Sequence, residues 1–259
     1  MTKASAKKSV ALKPARGSRA QEPRRSHAEE PPASTPLDSS LARRGTERFD
    51  VRQRILSASL GLIETEGLSA LSMREVARRA GVSHQAPYNH FVDREAILGA
   101  LAQDGFAILA SSIEREREKA SPSDFLSRLR AAFRAYVEFA CSYPAHFRLM
   151  FRPELVDLDN CPGALAEGDR AFTYLIDGVR EALLAGLPAE PSHDAVTALI
   201  WSTAHGLSCL LLDGPLAKKL PNAQREELID GVTEAFTALI AARIASAASP
   251  AKARLGKHK

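Results

Sequence analysis

The sequence predicts an all-α fold, in which a small N-terminal three-helix unit with a helix-turn-helix precedes a larger helical domain. Three observations predict it. Aromatic residues make up only 6% of the chain while Ala, Leu, Arg and Glu recur throughout, a composition that favours helix over sheet. Apolar residues return at helical spacing, bounded by cap residues and by breaks rich in Pro, Gly or Asp. No stretch alternates polar and apolar side chains as a half-buried strand would, and no internal repeat stands out.

Residues 1–46 hold few large apolar side chains and cannot bury enough surface to offset their ordering entropy, so they are expected to be a disordered basic tail. A first helix follows, with Val51, Ile55, Ala58 and Leu62 on one face and an end at Glu66-Gly67. Ser72-Met-Arg-Glu75 reads as a capping box: Ser72 accepts from the helix start and Glu75 reaches back. Met73, Val76, Ala77 and Ala80 then form a compact apolar face, and Gly81 ends the helix where a left-handed residue is wanted. Ser83 is placed to cap a third helix and Asp93 a fourth beginning at Arg94. Further helices are predicted at about 95–119, 123–142, 165–186, 192–212 and 223–247. They are parted at Ser121-Pro122, Tyr143-Pro144, Asn160 to Pro162, Leu187 to Pro191 and Asp213 to Pro215. Residues 249–259 form a second basic tail. The expected division is 47–98 for the helix-turn-helix unit and 99–248 for the larger helical domain.

Composition bounds the function. With 45% apolar and 25% charged residues the 259-residue chain has the balance of a globular protein. Three scattered cysteines, Cys141, Cys161 and Cys209, suit a reducing cytoplasm better than a disulfide framework. The first thirty residues lack the apolar centre of a secretory signal, and the longest apolar run, Val196 to Leu212, is short for a membrane span and holds His205. A cytoplasmic protein with no membrane partner is expected. No Gly-rich phosphate loop, nucleophile elbow or HExxH is present, so neither an enzyme, a cofactor nor a metal is expected. The net charge of +4 is uneven: the tail carries ten Lys/Arg against four Asp/Glu, leaving −2 for the remaining 213 residues. The basic pI therefore does not by itself argue for nucleic acid.

The informative segment is Gly81-Val-Ser-His-Gln-Ala-Pro-Tyr-Asn-His-Phe91. Gly81-Val82-Ser83 after a short helix is a helix-turn-helix signature. Pro87 and Phe91, four apart, can pack inward against Val76, Ala77, Ala80 and Val82. His84, Gln85, Ala86, Tyr88 and Asn89 then face outward. Gln, Asn and His can bond to base edges, Ala can meet a thymine methyl, and Tyr can donate to a phosphate. An exposed helix face is usually only solvated. Here His, Asn, Tyr and Pro are poor choices for a merely solvated helix, and the preceding turn has the right form. The segment is therefore expected to enter the major groove of duplex DNA.

From Arg52 to Leu98 the chain resembles the DNA-binding domain of the TetR (tetracycline-repressor-like) transcriptional regulators. The resemblance rests on Ile55-Leu-Ser-Ala58, Glu66-Gly67, Leu71-Ser-Met-Arg-Glu-Val-Ala77, Ala80-Gly-Val-Ser83, Tyr88-Asn-His-Phe91 and Arg94-Glu-Ala-Ile-Leu98. It implies that Tyr88 and Arg94 hold phosphates, that Ser72 and Arg74 touch backbone or a base, and that His84, Gln85, Ala86 and Asn89 read sequence. With Ser83 and His90 these are the candidate DNA-contacting residues. Pro87 stands where the family more often has leucine. Residues 72–92 carry only +2, so one copy would neutralise few phosphates; a homodimer on a double-stranded, pseudo-palindromic operator doubles the footprint.

In the larger domain Trp201, His205, Cys209 and Asp213 recur every four residues, with Gly206 in mid-helix. The stretch resembles the Trp-His-Gly motif of one class of TetR-like C-terminal domains, which implies ligand binding, dimerisation and an unidentified small-molecule effector. The stripe itself can serve as core packing, as a pocket lining or, lacking a fourth ligand, least readily as a metal or redox site. An aromatic cluster from Phe133 to Phe151 can likewise fill a core or line a cavity. The candidate pocket residues are Phe139, Tyr143, Phe147, Phe172, Trp201 and His205. The helices over Asp194–Leu212 and Glu226–Ile244, with Ala204, Gly206, Ala235, Ala238 and Ala242, are expected to form the dimer. Two rivals stay open: a thiol redox sensor using its cysteines, and a helical enzyme around Glu190 and His193-Asp194.

Overall fold

A computed structural model describes residues 37–189 and 192–248, with side chains from Arg48 onward, and every regular element among them is helical. The α-helices are α1 (Leu37–Glu66), α2 (Met73–Ala80), α3 (Arg94–Lys119), α4 (Phe125–Ser142), α5 (Pro144–Met150), α6 (Pro162–Leu184), α7 (His193–Leu212), α8 (Pro215–Lys219) and α9 (Arg225–Ala248). The last part of the expected tail, 37–46, is the start of α1. The rest of that tail, the C-terminal tail and Glu190 lie outside the described residues. All the packing below belongs to the compact unit that begins at Arg43.

Local chemistry sets the N-terminal elements. Ile55 and Leu62 of α1 are fully buried, and the buried Ser59 hydroxyl is satisfied by donating to the Ile55 carbonyl at 2.8 Å. The Ser72 hydroxyl accepts from the Glu75 amide, as expected of a cap. The other half of the capping box does not form: the Glu75 carboxylate turns forward to Arg78, where Nε lies 2.9 Å away. A guanidinium three residues on is a stronger partner than a neutral amide, and it holds the Glu75 carboxyl below its usual range. Gly81 adopts φ 64°, ψ 38°, and the Val82 amide closes the helix end on the Ala77 carbonyl at 3.1 Å. Asp93 caps α3 through the Ala96 amide at 2.7 Å.

Helix α3 continues from the helix-turn-helix into the larger bundle, with buried residues from Ile97 to Ile113, and packs on α4, α5 and α6. Gly105 permits the close pass of α5: a Cβ there would meet Met150 Sδ at 2.5 Å. Helix α4 is central, contacting α3, α6, α7 and α9. Phe133 stacks on Phe236 of α9 at 5.4 Å between centroids. Glu181 of α6 accepts from both Arg117 and Arg128, each at 3.0 Å, tying α3, α4 and α6 at a largely desolvated point. Arg134 ties α4 to Glu226 and Asp230 of α9. By length and hydropathy α3 and α7 are each apolar enough to cross a bilayer. Most of that stretch of α3 is buried in the bundle, whereas only a third of α7's is. Leu199 and Leu210 of α7 and Leu239 of α9 stay exposed.

Candidate nucleic-acid interface and effector cavity

After Gly81 the chain does not form the α-helix expected from Ser83. Residues 84–86 are a turn, and Pro87–Asn89 wind as one 3₁₀ turn. The bonds Ala86 N–H to Ser83 O, Asn89 N–H to Ala86 O and His90 N–H to Pro87 O each span three residues; the Phe91 amide spans four, to Pro87 O. Proline explains this, because Pro87 has no N–H to return to Ser83 and so removes an α-helical bond.

The turn is anchored from beneath. Pro87 and Phe91 are buried, as expected. Two anchors come from α1 and were not anticipated. Arg52 lies over the Phe91 ring at 5.3 Å, and Arg54 Nη2 donates to the carbonyls of Ala80 (2.6 Å) and Gly81 (3.0 Å). Both lie off the apolar face of Val51, Ile55, Ala58 and Leu62, and nothing local in the sequence says what they would meet.

Above the anchors, Ser83, His84, Gln85, Tyr88 and Asn89 are exposed, while Ala86 and His90 are half-buried. The His84 and Tyr88 rings stand 6.2 Å apart. Burial, reinforced by Arg48 and Arg52, pushes the His90 imidazole below its ordinary value, so it is neutral at pH 7 and a poor phosphate clamp. Ser72 and Arg74 are exposed at the start of α2. Arg94 is largely committed elsewhere, donating through Nη2 to the Leu68 carbonyl at 3.0 Å, with Nη1 3.7 Å from Glu95. Arg78 and Arg79 are drawn to Glu75 and Glu66. The polar surface therefore offers hydrogen bonds more than free charge. Val92, 86% exposed, is an apolar tip beside it that the sequence reading did not single out.

A cavity of about 530 Å³ opens among α3, α4, α6, α7 and the segment 150–159. Phe106, Phe133, Tyr136, Met150 and Phe151 supply much of its apolar wall, and Asp157, Asp159 and Asp169 its acidic positions. Of the six expected pocket residues, Phe172 and Trp201 line it, their rings edge to face at 5.6 Å. The other four require correction. Phe147 is buried behind the lining and packs edge-on against Tyr136 and Phe151. His205 sits there too, 4.9 Å from the Phe151 ring. Phe139 and Tyr143 stack on each other at 5.5 Å and face a separate depression with Ser111 and Arg115. Aromatic content marked the right segment of chain, but helix rotation and the close approach of α5 to α3 decided which rings reach the cavity.

Tyr136 organises the wall. The Trp201 indole N–H donates to the Tyr136 hydroxyl (3.3 Å), which lies 2.9 Å from His205 Nδ1. Indole can only donate, so the hydroxyl accepts from Trp201; it gives its own proton to Nδ1 in the tautomer of neutral His205 that is protonated on Nε2, and accepts a second time in the other tautomer. Burial pushes the phenol up and the imidazole down, keeping both neutral. The stripe below diverges: Asp213 accepts from Arg148 at 3.2 Å. Among the described residues no three His, Cys, Asp or Glu side chains could jointly hold a metal ion. All three cysteines are free, and burial pushes the Cys141 and Cys209 thiols up, away from the reactive thiolate.

Comparison with known proteins matches two profiles. One, described as bacterial regulatory proteins of the tetR family, covers residues 55–101. The other, described as the tetracyclin repressor-like C-terminal domain, covers residues 129–242, and together they span more than half the chain. HTH-type transcriptional regulators of Mycobacterium bovis and Mycobacterium tuberculosis are 24% identical over 150 residues, 57% of this chain and 62% of theirs. The match thus spans less than two thirds of the length of these curated relatives. A solved protein of unknown function from Rhodococcus sp. RHA1 superposes with a TM-score of 0.62 at 30% identity, over 75% of this chain and 95% of its own. The TetR family transcriptional regulator PfmR of Thermus thermophilus does so at 0.56 and 23% identity, over 72% and 96%.

Proposed function

Since the chain belongs to the tetR family of bacterial regulatory proteins, we propose that it is a cytoplasmic, ligand-responsive repressor that binds a pseudo-palindromic operator as a homodimer. The observation that carries this reading is the outward row His84, Gln85, Tyr88 and Asn89 on a turn clamped by Pro87, Phe91 and Arg54. Hydrogen-bonding side chains held rigidly outward, with little free charge around them, suit the reading of base edges better than non-specific adhesion. Tyr88, Ser72 and Arg74 supply backbone contacts in this proposal, with residues 47–98 as the reading unit. Arg94 acts chiefly by bracing the start of α3, with its partly exposed edge near a phosphate.

The apolar exposed face of α7, with Leu199 and Leu210, together with Leu239 of α9, supports the homodimer. A helix as apolar as α7 is stable in water when a second surface covers it. Gly206 fits the same proposal, because open space lies where its Cβ would be. In residues 99–248 the cavity beside Trp201 is the effector site. Its wall includes α3, which leads directly from the reading turn. An effector lowers DNA affinity only if it binds one spacing of the two reading units better than the other.

Selection of bound duplexes from a random pool by the purified full chain tests the proposal. The expected result is a two-fold-symmetric consensus with half-sites about one helical turn apart or slightly more. Recovery of unrelated sequences, or of a single asymmetric site, refutes it.

A further inference from the structure

Resting on the reading of the cavity as an effector site, we propose that its ligand is a lipophilic cation, an aromatic or amphiphilic molecule bearing positive charge. The cavity holds no Lys or Arg among its lining residues but three carboxylates, Asp157, Asp159 and Asp169. All three are exposed, so they stand on its solvent side. None forms an ion pair with a described cation. Asp157 is held in place by its own loop, one oxygen accepting from the Asp159 amide (3.1 Å) and the other from Asn160 Nδ2 (2.6 Å). These bonds orient the carboxylate without neutralising it.

Arg117 stands behind the wall, 5.9 Å from the ring of the lining Tyr174, and is held there by Glu181 at 3.0 Å, a carboxylate it shares with Arg128. A carboxylate or phosphate ligand entering the cavity would thus pass three like charges and find no free counter-charge among the described lining residues. A cation would meet the opposite field at the mouth. It would also meet the rings of Trp201, Phe172 and Phe151 among the lining residues, whose π-systems favour positive charge electrostatically while their apolar area takes up the hydrophobic body. The Tyr136 hydroxyl and His205 Nδ1 already satisfy each other, so the inner wall has little to offer an anionic head group.

Trp201 is the single tryptophan of the chain and lines this cavity, so its emission responds to a ligand bound there. The test titrates the full chain with tetraphenylphosphonium and, separately, with tetraphenylborate, two ions of the same shape and opposite charge. The expected result is a saturable change in Trp201 emission with the phosphonium, at least about tenfold weaker with the borate. Adding salt weakens phosphonium binding. The triple variant Asp157→Asn, Asp159→Asn, Asp169→Asn, checked for unchanged helical circular dichroism, brings the two affinities within about threefold. Equal or tighter binding of the borate, or a triple variant with an unaltered ratio, overturns the cation assignment and leaves the effector-site reading standing. No saturable response to either ion overturns the effector-site reading itself.

Discussion

Replacing Gly81 probes the joint on which the reading surface depends. The residue adopts φ 64°, where an L side chain brings its Cβ close to the following carbonyl, at a cost of about 1–2 kcal/mol. A Cβ at Gly81 would also sit 3.2 Å from Arg54 Nη2, the atom that donates to the Ala80 and Gly81 carbonyls. The guanidinium end is flexible and can retreat by a few tenths of an ångström, which lengthens those two bonds; a weakened bond of this kind is worth roughly 1 kcal/mol. Gly81→Ala is therefore expected to destabilise the chain by about 2–3 kcal/mol. Gly81→Asn should cost less, since Asn tolerates the left-handed region through local hydrogen bonding, and Gly81→Val more, because β-branching is worst there. Urea unfolding of the four proteins, paired with titration of a selected operator duplex, reads both consequences. Each ~1.4 kcal/mol by which the turn is disfavoured in the free protein lowers operator affinity up to tenfold. Equal stability for Val and Asn, or loss of stability with operator affinity untouched in all three variants, would show that this bend does not position the reading surface.

Other perturbations divide the surface by role. Gln85→Ala or Asn89→Ala should relax preference at particular base pairs, by about 1–3 kcal/mol per lost bidentate contact, whereas Tyr88→Phe should weaken all sequences alike by a few-fold; competition against single-base operator variants separates the two patterns. Tyr136→Phe leaves His205 Nδ1 without its partner and Trp201 without its acceptor, so about 1–2 kcal/mol of stability should go with a shift in Trp201 emission; an unchanged spectrum argues against the hydrogen-bond chain. Leu199→Glu combined with Leu239→Glu should halve the solution mass measured by light scattering, and an unaltered mass would move the dimer contact elsewhere. For pH, burial holds His90, His146 and His205 below the usual 6.5. Their folded forms prefer to be neutral, so the associated stability is present above about pH 6.5 and is lost as pH falls through the lower folded values. Asp104, raised by burial, has the opposite sign, its stability contribution present at acid pH and lost as pH rises through its raised value. A falling melting temperature from about pH 7.5 to about pH 5.5 is expected, shallower in His146→Gln; a flat profile contradicts it.

Much of the N-terminal unit was legible because it is written in short-range chemistry. A serine three residues before the amide it caps, a glycine at a helix end, and an aspartate before Arg94 each act within one turn, and each formed as read. The winding of the reading segment was less legible. Ser83 reads as the cap of a third helix, yet without a Pro87 N–H the segment closes largely through three-residue hydrogen bonds instead. The start of α1 was missed for a related reason. Low apolar content predicts that a segment lacks a core of its own, but it does not prevent helical backbone from continuing outward from an anchored helix.

What the sequence alone determined was the family, the all-helical architecture and which side chains around Gly81 face outward, because periodicity and capping are properties of neighbours in the chain. Tertiary structure alone decided that Arg54 would brace the bend, that Arg94 would be drawn to the Leu68 carbonyl, and that Phe172 and Trp201 would line the cavity while Phe147 and His205 stood behind it. Those outcomes depend on the rotation and depth at which helices far apart in sequence meet. A difference of one residue in that rotation turns a side chain by about 100°, from cavity to core, and no spacing within a single helix records it.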